Sequence, residues 1–334
     1  MTKTIGDTIL RVEDLQTELR TKMGVFKAVD GVSFTLRQGE TLGIVGESGS
    51  GKSMTALSLL GVLPKPAGKI VGGRVMFDGQ DLLTKSEQQM RRIRGGSISM
   101  VLQDPQTSLN PVYTIGSQVT EAIALHRDVP RRSRIGRAID ALREVHVAAP
   151  EQRVKDYPHQ MSGGMKQRVS GAIAISCEPK ILIADEPTTA LDVTIQSQYL
   201  RLLREIQDRS GLSVIFITHD FGIVANMCDS VAVMYAGRVV EYGPVRDLFN
   251  NPRHPYTRAL LNSVPTMDRR VERLYSIPGQ PPALWDLPKG CHFLPRCPFA
   301  EQRCETAYPP DIAAVGLGAG AHTARCWKLE DPTW

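Results

Sequence analysis

Eight residues early in the chain have the types and spacing to hold phosphate. Gly46, four intervening residues, then Gly51, Lys52 and Ser53 make G-x-x-x-x-G-K-S within the run IVGESGSGKS. Thr41 to Val45 precedes the loop as an apolar strand, and Met54 to Leu63 can continue it as a helix. That strand, loop and helix order is the context the motif needs. Glycines let backbone N–H groups turn inward as a nest for phosphate oxygens, and the helix N-terminus adds a favourable field. The Lys52 amine can reach the β- and γ-phosphates of a nucleotide, and the Ser53 hydroxyl can hold Mg²⁺.

Four further polar residues each follow an apolar strand pattern. Asp185 ends Ile181 to Ala184 and is followed by Glu186; His219 follows Leu212 to Thr218; Gln103 follows Ser97 to Leu102. In an α/β sheet, ligands sit beyond the carboxyl ends of the strands. Asp185 is placed to orient Mg²⁺ through water or Ser53, and Glu186 to polarise an attacking water. A neutral imidazole at His219 can contact the γ-phosphate or hold that water, and Gln103 can bridge to Mg²⁺ or water. Ser162-Gly163-Gly164 is a second anion-binding helix start, a serine cap with two small residues. The phosphate loop already has its own helix, so this one suits the nucleotide of a second copy or a partner.

The elements that must carry these residues are legible in outline. Residues 9 to 20, Ala28 to Leu36 and Gly72 to Phe77 read as strands, the last closing on an Asp78-Gly79 turn. They predict an antiparallel sheet beside a parallel one. Thr84 to Arg94 reads as a basic helix, Asp104 to Tyr113 as turn-rich, and Thr114 to about Val147 as helical in pattern, an inserted lobe. Residues 153 to 160 form a linker, and Ser162 opens a helix to about Ser176. Thr194 to Arg209 is an amphipathic helix, Gly222 to Met227 begins another, and Ser230 to Glu241 is a hairpin about Ala236-Gly237. Beyond Gly243, prolines at 252, 255, 265, 278, 281, 282, 288, 295 and 298 break up regular structure into a small appended module.

Composition sets the bounds. The 334 residues are 42% hydrophobic and 22% charged, enough for a large core and two domains. No run of 18 apolar residues occurs, and the first 15 residues lack a signal-peptide core, so a cytoplasmic address is expected unless a partner carries the chain to a membrane. The net charge of +5 selects no ligand class. The basic clusters at 91 to 94 and 131 to 134 lack interleaved aromatics and read as solvated helix faces. Of six cysteines, Cys177 and Cys228 lie in apolar surroundings and read as small buried hydrophobes.

Taken together, these motifs resemble those of ATP-binding cassette (ABC) ATPases. The Walker A is Gly46 to Ser53, the Q-loop glutamine Gln103, the signature Ser162 to Gln167, the Walker B Ile181 to Asp185 with Glu186, the D-loop Ala190-Leu191-Asp192, and the switch histidine His219. More narrowly the chain resembles the ATPase subunits of dipeptide, oligopeptide and nickel importers, most of all the dipeptide ones. The phrases are QDPQTSLNP at 103–111, YPHQ at 157–160 and RHPYT at 253–257.

The resemblance implies an α/β fold: a P-loop NTPase core with a RecA-like parallel sheet, an antiparallel β subdomain, a helical insertion and a small irregular C-terminal extension. The implied domains are 1–245, with the helical subdomain at about 104–165, and 246–334. Implied nucleotide contacts are Gly46, Ser48, Gly49, Ser50, Gly51, Lys52, Ser53, Met54, Gln103, Asp185, Glu186 and His219, with Ser162, Gly163, Gly164 and Asp192 acting on the other chain's ATP. Ser53, Gln103 and Asp185 would hold Mg²⁺. Lys52, Gln103, Glu186 and His219 would carry hydrolysis. The implied partners are two transmembrane permease subunits, docked on the helical lobe, a second related ATPase subunit (or a second copy of this chain) and an extracytoplasmic solute-binding protein. No nucleic acid is expected. The implied site is the cytoplasmic face of the inner membrane. One departure concerns adenine: where the family often has a stacking aromatic, Leu19 falls near the place and Phe26 is the nearest aromatic, so no residue is assigned.

Cys291, Cys297, Cys304 and Cys326 form C-x5-C-x6-C-x21-C within the last 44 residues. Disulfides are disfavoured by a cytoplasmic address. Zinc suits four thiolates, but the usual close pair is missing. An iron–sulfur cluster tolerates wider spacings. Unligated or redox-variable cysteines are the remaining reading. The resemblance implies a [4Fe–4S] cluster, since Arg296-Cys297-Pro298 looks like the corresponding stretch in dipeptide-importer ATPases; His292 beside it needs no ligand role. The function implied is ATP-driven uptake of dipeptides or short oligopeptides, with nickel, glutathione or another small solute as the alternative cargo. An ABC ATPase acting on DNA would insert a long coiled coil or zinc module between Gln103 and Ser162, where about 60 residues allow only a compact lobe. A non-catalytic cassette is opposed by intact Lys52, Glu186 and His219.

Overall fold

The structure is a computed structural model that describes residues 5–189, 191–264, 275–313, 322–331 and 334. Ala190 of the expected D-loop and Pro265 lie outside the described residues. The chain divides into two compact units. The first takes the segment up to Thr8, Leu36–Glu40 and Thr84–Ile217; the second takes Ile9–Thr35, Thr41–Leu83 and the chain from Thr218 onward.

In the first unit three parallel strands, Ile98–Val101, Ile181–Asp185 and Ser213–Thr218, lie side by side with Ile181–Asp185 in the middle. Every residue of the last two is buried, as apolar runs covered on both faces require. The register, Val101 opposite Ala184 and Asp185 opposite Ile217, brings the ends of all three strands level. Helix Val193–Ser210 buries Tyr199, Leu202, Leu203 and Ile206 on one stripe. Asp192 caps its start by accepting from Ile195 N–H, and left-handed Gly211 ends it.

The inserted lobe is helical, but not in one piece. Helices Ile115–His126 and Arg134–Glu144 are separated by Arg127 to Ser133, where Pro130 interrupts the chain and a 3₁₀ turn, Arg131–Ser133, follows. Between His126 and Arg134 the apolar pattern lapses and Pro130 cannot continue a helix. Gly116 lets helix Ile115–His126 approach the backbone at Val154, whose oxygen a Cβ would meet at 2.7 Å. The turn-rich segment contains a short helix, Pro105–Ser108.

The second unit holds an antiparallel sheet in the order Gly24–Arg37, Thr8–Thr21, Gly68–Phe77, Gln80–Asp81. The Asp78-Gly79 turn has φ of 49° and 73°, the two left-handed residues of the turn that suits strand twist. Beside it a mixed sheet runs Ile312–Ala313, Thr323–Ala324, Arg238–Pro244, Ser230–Tyr235, Thr41–Val45, with the last pair parallel. The proline-rich tail packs on it. Helices Val245–Asn250 and Pro255–Asn262 and the turn Leu294–Arg296 bring Leu248, Tyr256 and Phe293 into one core with Val45, Val231, Val233 and Tyr235. Glu241, buried in strand Arg238–Pro244, anchors the tail by accepting from Arg253 N–H at 2.7 Å, His254 N–H at 2.8 Å and His322 Nε2 at 2.7 Å.

Candidate functional site

The phosphate loop leaves strand Thr41–Val45 and enters helix Lys52–Leu60, as expected from the sequence. Gly46 and Gly51 have φ of 153° and 103°. A Cβ at these positions would strike Met234 O at 2.2 Å and Ala28 O at 2.5 Å, so only glycine fits. Ser48 and Gly49 form the exposed crest, Ser50 and Lys52 are buried, and Ser53 and Met54 are half-buried at the helix start. Lys52 Nζ donates back to Gly46 O at 2.8 Å and Glu47 O at 3.0 Å, folding the loop around its own ammonium. Ser50 Oγ is buried and, among the described residues, has no hydrogen-bond partner. A glycine cradle, a buried lysine and an orphaned hydroxyl together fit a phosphate group.

Glu47, within this loop, is held by the tail. Arg296 grips its carboxylate with both terminal nitrogens, Nη1 to Oε2 at 2.7 Å and Nη2 to Oε1 at 3.0 Å. Glu47 N–H donates to the Tyr256 hydroxyl at 2.9 Å. Burial opposes charge on Arg296, but Glu47 and the Tyr235 hydroxyl outweigh it and hold the guanidinium firmly protonated. Sequence reasoning missed this trio. The RHPYT and Arg296-Cys297-Pro298 phrases flagged two of its members, without a signal for where they would dock.

The acidic residues expected to serve hydrolysis lie in the first unit. Asp185 is buried at the end of its strand. Glu186 follows with φ of 45°, its N–H bonded to Ile217 O at 3.0 Å. Its carboxylate accepts from Gln103 Nε2 at 3.0 Å and from Thr189 Oγ1 at 3.1 Å. The structure thus joins Gln103 and Thr189 to Glu186, contacts that the motif spacing did not specify. Ser162 caps helix Gly163–Ile175 by accepting from Met165 N–H at 3.3 Å. Gly163 and Gly164 form its first turn, and a Cβ on Gly164 would come within 3.0 Å of Ile195, in the first turn of the helix that Asp192 caps. His219 belongs to the second unit, exposed just past strand Ser213–Thr218. Phe26 packs edge-on against Trp285, with ring centroids 5.9 Å apart.

The expected iron–sulfur cluster is not borne out, and neither is metal binding at the cysteines. Cys291, Cys297, Cys304 and Cys326 line one apolar pocket with Phe293, Leu294 and Trp327, and its volume is about 20 Å³. Among the described residues no group of three or more His, Cys, Asp or Glu side chains is placed to hold a metal ion. Burial pushes the Cys291 thiol up to about 11 and Cys326 to about 12, and raises Cys297 as well. Such thiols stay protonated and pack as small hydrophobes. The spacing that suggested four ligands instead distributes four apolar contacts through a loop-rich segment.

His254 is fully enclosed, and its Nδ1 accepts from Tyr256 N–H at 3.1 Å, which requires that nitrogen to be unprotonated. Burial depresses its pKa to about 4, against an opposing pull from Glu241. Above pH 6.5 the histidine is neutral folded or unfolded and contributes no pH dependence. As pH falls from 6.5 towards 4, the unfolded chain takes up a proton that the folded chain refuses, and stability is lost at up to about 1.4 kcal/mol per pH unit. Urea unfolding at pH 7 and pH 5 should show this fall. In His254→Asn, whose side-chain oxygen can still accept from Tyr256 N–H, that part of the slope should vanish; an unchanged slope would refute the assignment.

Residues 29–189 match the family model described as ABC transporter, and residues 240–304 match the one described as oligopeptide/dipeptide transporter, C-terminal region. Among solved structures, the chain is similar to a dimeric ATP-binding cassette, MJ0796, in a post-hydrolysis state bound to ADP and Pi. The identity is 26%, the TM-score 0.63, and the match covers 71% of this chain and 99% of that one. It is also similar to cbiO1 of Clostridium perfringens, part of an ABC transporter complex, at 32% identity and a TM-score of 0.62 over 73% of this chain and 92% of that one. Fold and loop together define an ABC-type ATPase, which binds ATP with Mg²⁺ and hydrolyses it.

Full-length relatives narrow the class. A probable peptide ABC transporter ATP-binding protein, y4tR, of Sinorhizobium fredii is 52% identical over 98% of this chain and 96% of its own. The dipeptide transport ATP-binding proteins DppD of Bacillus subtilis and Escherichia coli are 47% and 46% identical, each over 97% of this chain and 96% and 98% of their own. The chain belongs to this family of peptide-transport ABC ATP-binding proteins, whose ATPases work as dimers with membrane permease partners.

Proposed function

We propose that this chain is the ATPase subunit that drives uptake of dipeptides or short oligopeptides through a membrane ABC importer. One observation carries the reading: near-complete coverage by peptide-transport relatives at about half identity, through both the cassette and the C-terminal region. The division into a nucleotide-binding domain, 1–245 with a helical subdomain at about 104–165, and an extension, 246–334, is part of the proposal, supported by the two family matches at 29–189 and 240–304.

The residue roles follow the motifs. Gly46 and Ser48 to Met54 cradle the phosphates, with Lys52 neutralising charge that develops in transfer. Mg²⁺, when bound, supplies further neutralisation, and Ser53, Gln103 and Asp185 are the residues to hold it. Glu186 takes the proton of the attacking water and His219 orients that water. Ser162, Gly163, Gly164 and Asp192 act on the nucleotide of the other ATPase subunit, a related chain or a second copy. The helical subdomain docks on two permease subunits at the cytoplasmic face of the inner membrane. In support, Val112 and Tyr113 stand 72% and 54% exposed on this lobe, apolar surface that a partner would cover. A solute-binding protein outside the membrane delivers the peptide.

The test is reconstitution of the complex purified with this chain into liposomes. Uptake of a labelled dipeptide should require ATP, and ATP hydrolysis should rise when peptide-loaded binding protein is present. Isolation of the chain without any permease, or hydrolysis that responds to nickel and not to peptide, would reject the peptide assignment.

A further inference from the structure

The tail does more than cover the mixed sheet: it reaches into the phosphate loop. We propose that Arg296 and Tyr256 are positioning residues for that loop, acting through Glu47, so that the C-terminal segment sets the affinity for nucleotide. The proposal rests on the reading of residues 46–53 as the nucleotide cradle.

Every polar group of Glu47 is engaged. Its N–H donates to Tyr256 Oη at 2.9 Å, its carbonyl accepts from Ser50 N–H at 3.2 Å and Lys52 Nζ at 3.0 Å, and its carboxylate is gripped by Arg296. One peptide group matters most. The N–H that Tyr256 accepts and the Gly46 carbonyl that Lys52 contacts at 2.8 Å belong to the same peptide plane. Tyr256 holds one edge of that plane and Lys52 the other. Gly46, at φ 153°, has no side chain to restrain the rotation, so the hold on the N–H edge comes from Tyr256, outside the loop.

Both tail residues are themselves locked. Arg296 Nε donates to Pro278 O at 3.1 Å and Nη1 reaches Tyr235 Oη at 3.4 Å, and its side chain is 2% exposed. A bidentate guanidinium–carboxylate pair fixes orientation as well as distance, which an ammonium cannot do. Tyr256 is fully buried between Tyr235, at 4.6 Å between centroids, and Phe293, at 5.4 Å. Its backbone N–H is taken by the capping His254. Tyr235 ends the strand that runs parallel to Thr41–Val45, so the aromatic trio stands at the root of the loop. Glu47 is one of the unspecified positions of the phosphate motif, and nothing in that motif demands a carboxylate there; its partner in the tail does.

The experiment uses the full chain in its purified complex and measures nucleotide Kd with a fluorescent ATP analogue beside KM and kcat for ATP. Arg296→Ala should raise Kd and KM by about tenfold or more, the loss expected for a charge-assisted bidentate contact, with a smaller change in kcat. Arg296→Lys, which keeps charge without the fork, should recover part of this. Tyr256→Phe removes only the hydroxyl and keeps the packing, so it tests the idea even if Arg296→Ala fails to fold; Kd should rise about three- to fivefold. Because both members of the ion pair act as one unit, Glu47→Gln with Arg296→Ala should be no worse than Arg296→Ala alone. Wild-type Kd and KM in Tyr256→Phe and in folded Arg296→Ala, even with lowered thermal stability, would reduce the contacts to structure and overturn the proposal. A wild-type complex that binds no nucleotide would overturn the reading of the loop itself.

Discussion

Glu186→Gln is expected to lower ATP turnover by about 10²- to 10⁴-fold while leaving ATP binding in place, the loss typical of removing a general base. The carboxylate stands immediately past a buried strand end, held by Gln103 Nε2 and Thr189 Oγ1, so its direction is set before any substrate arrives. The amide has the same shape and can keep an acceptor toward Thr189, so folding should not suffer. It cannot take a proton from water. The check is steady-state hydrolysis together with the ATP retained after rapid desalting: turnover should collapse and retained ATP should rise. Wild-type turnover would mean that another group, His219 first among the candidates, activates the water.

Lys52→Ala should damage binding and turnover together, where Glu186→Gln spares binding. The ammonium is buried in the loop and placed on two backbone carbonyls, Gly46 O and Glu47 O. Phosphate oxygens offer a stronger acceptor than those carbonyls, and the same amine can serve them with little movement of the stem. Loss of one such preorganised charge costs about 10²- to 10³-fold in rate, and nucleotide affinity should fall with it. Lys52→Arg should not restore activity, since a planar fork cannot replace a compact ammonium within a glycine-lined turn. Isothermal titration with ATP and a hydrolysis assay on both variants decide the matter; an arginine variant with wild-type kinetics would show that charge alone suffices there.

How far these residues could be seen in advance depends on how local their cause is. The phosphate loop was legible because its chemistry is written in adjacent residues: two glycines that alone fit the backbone, then lysine and serine at the helix start. Strand Ile181–Asp185 and the helix start at Ser162 were legible for the same reason, since apolar runs and capping side chains act within a few residues. The Asp78-Gly79 turn belongs here too.

Other features needed the chain to be folded. Thr189 joins Glu186 only because the backbone turns sharply after the strand. The four tail cysteines have spacing that invites a metal, yet the fold sets them half-buried around an apolar pocket of about 20 Å³, where burial raises the Cys291, Cys297 and Cys326 thiols, with no metal-holding group among the described residues.

The sequence by itself therefore determined the class of chemistry, the order of the motifs and the local geometry of the phosphate loop, because each depends on neighbours in the chain. Only the tertiary structure decided what holds that loop from outside. Arg296 and Glu47 are 249 positions apart, and no periodicity, cap or turn signal spans such a distance. Their pairing depends on Tyr235, Tyr256 and Phe293 packing into one buried core, which brings the tail to the end of strand Thr41–Val45.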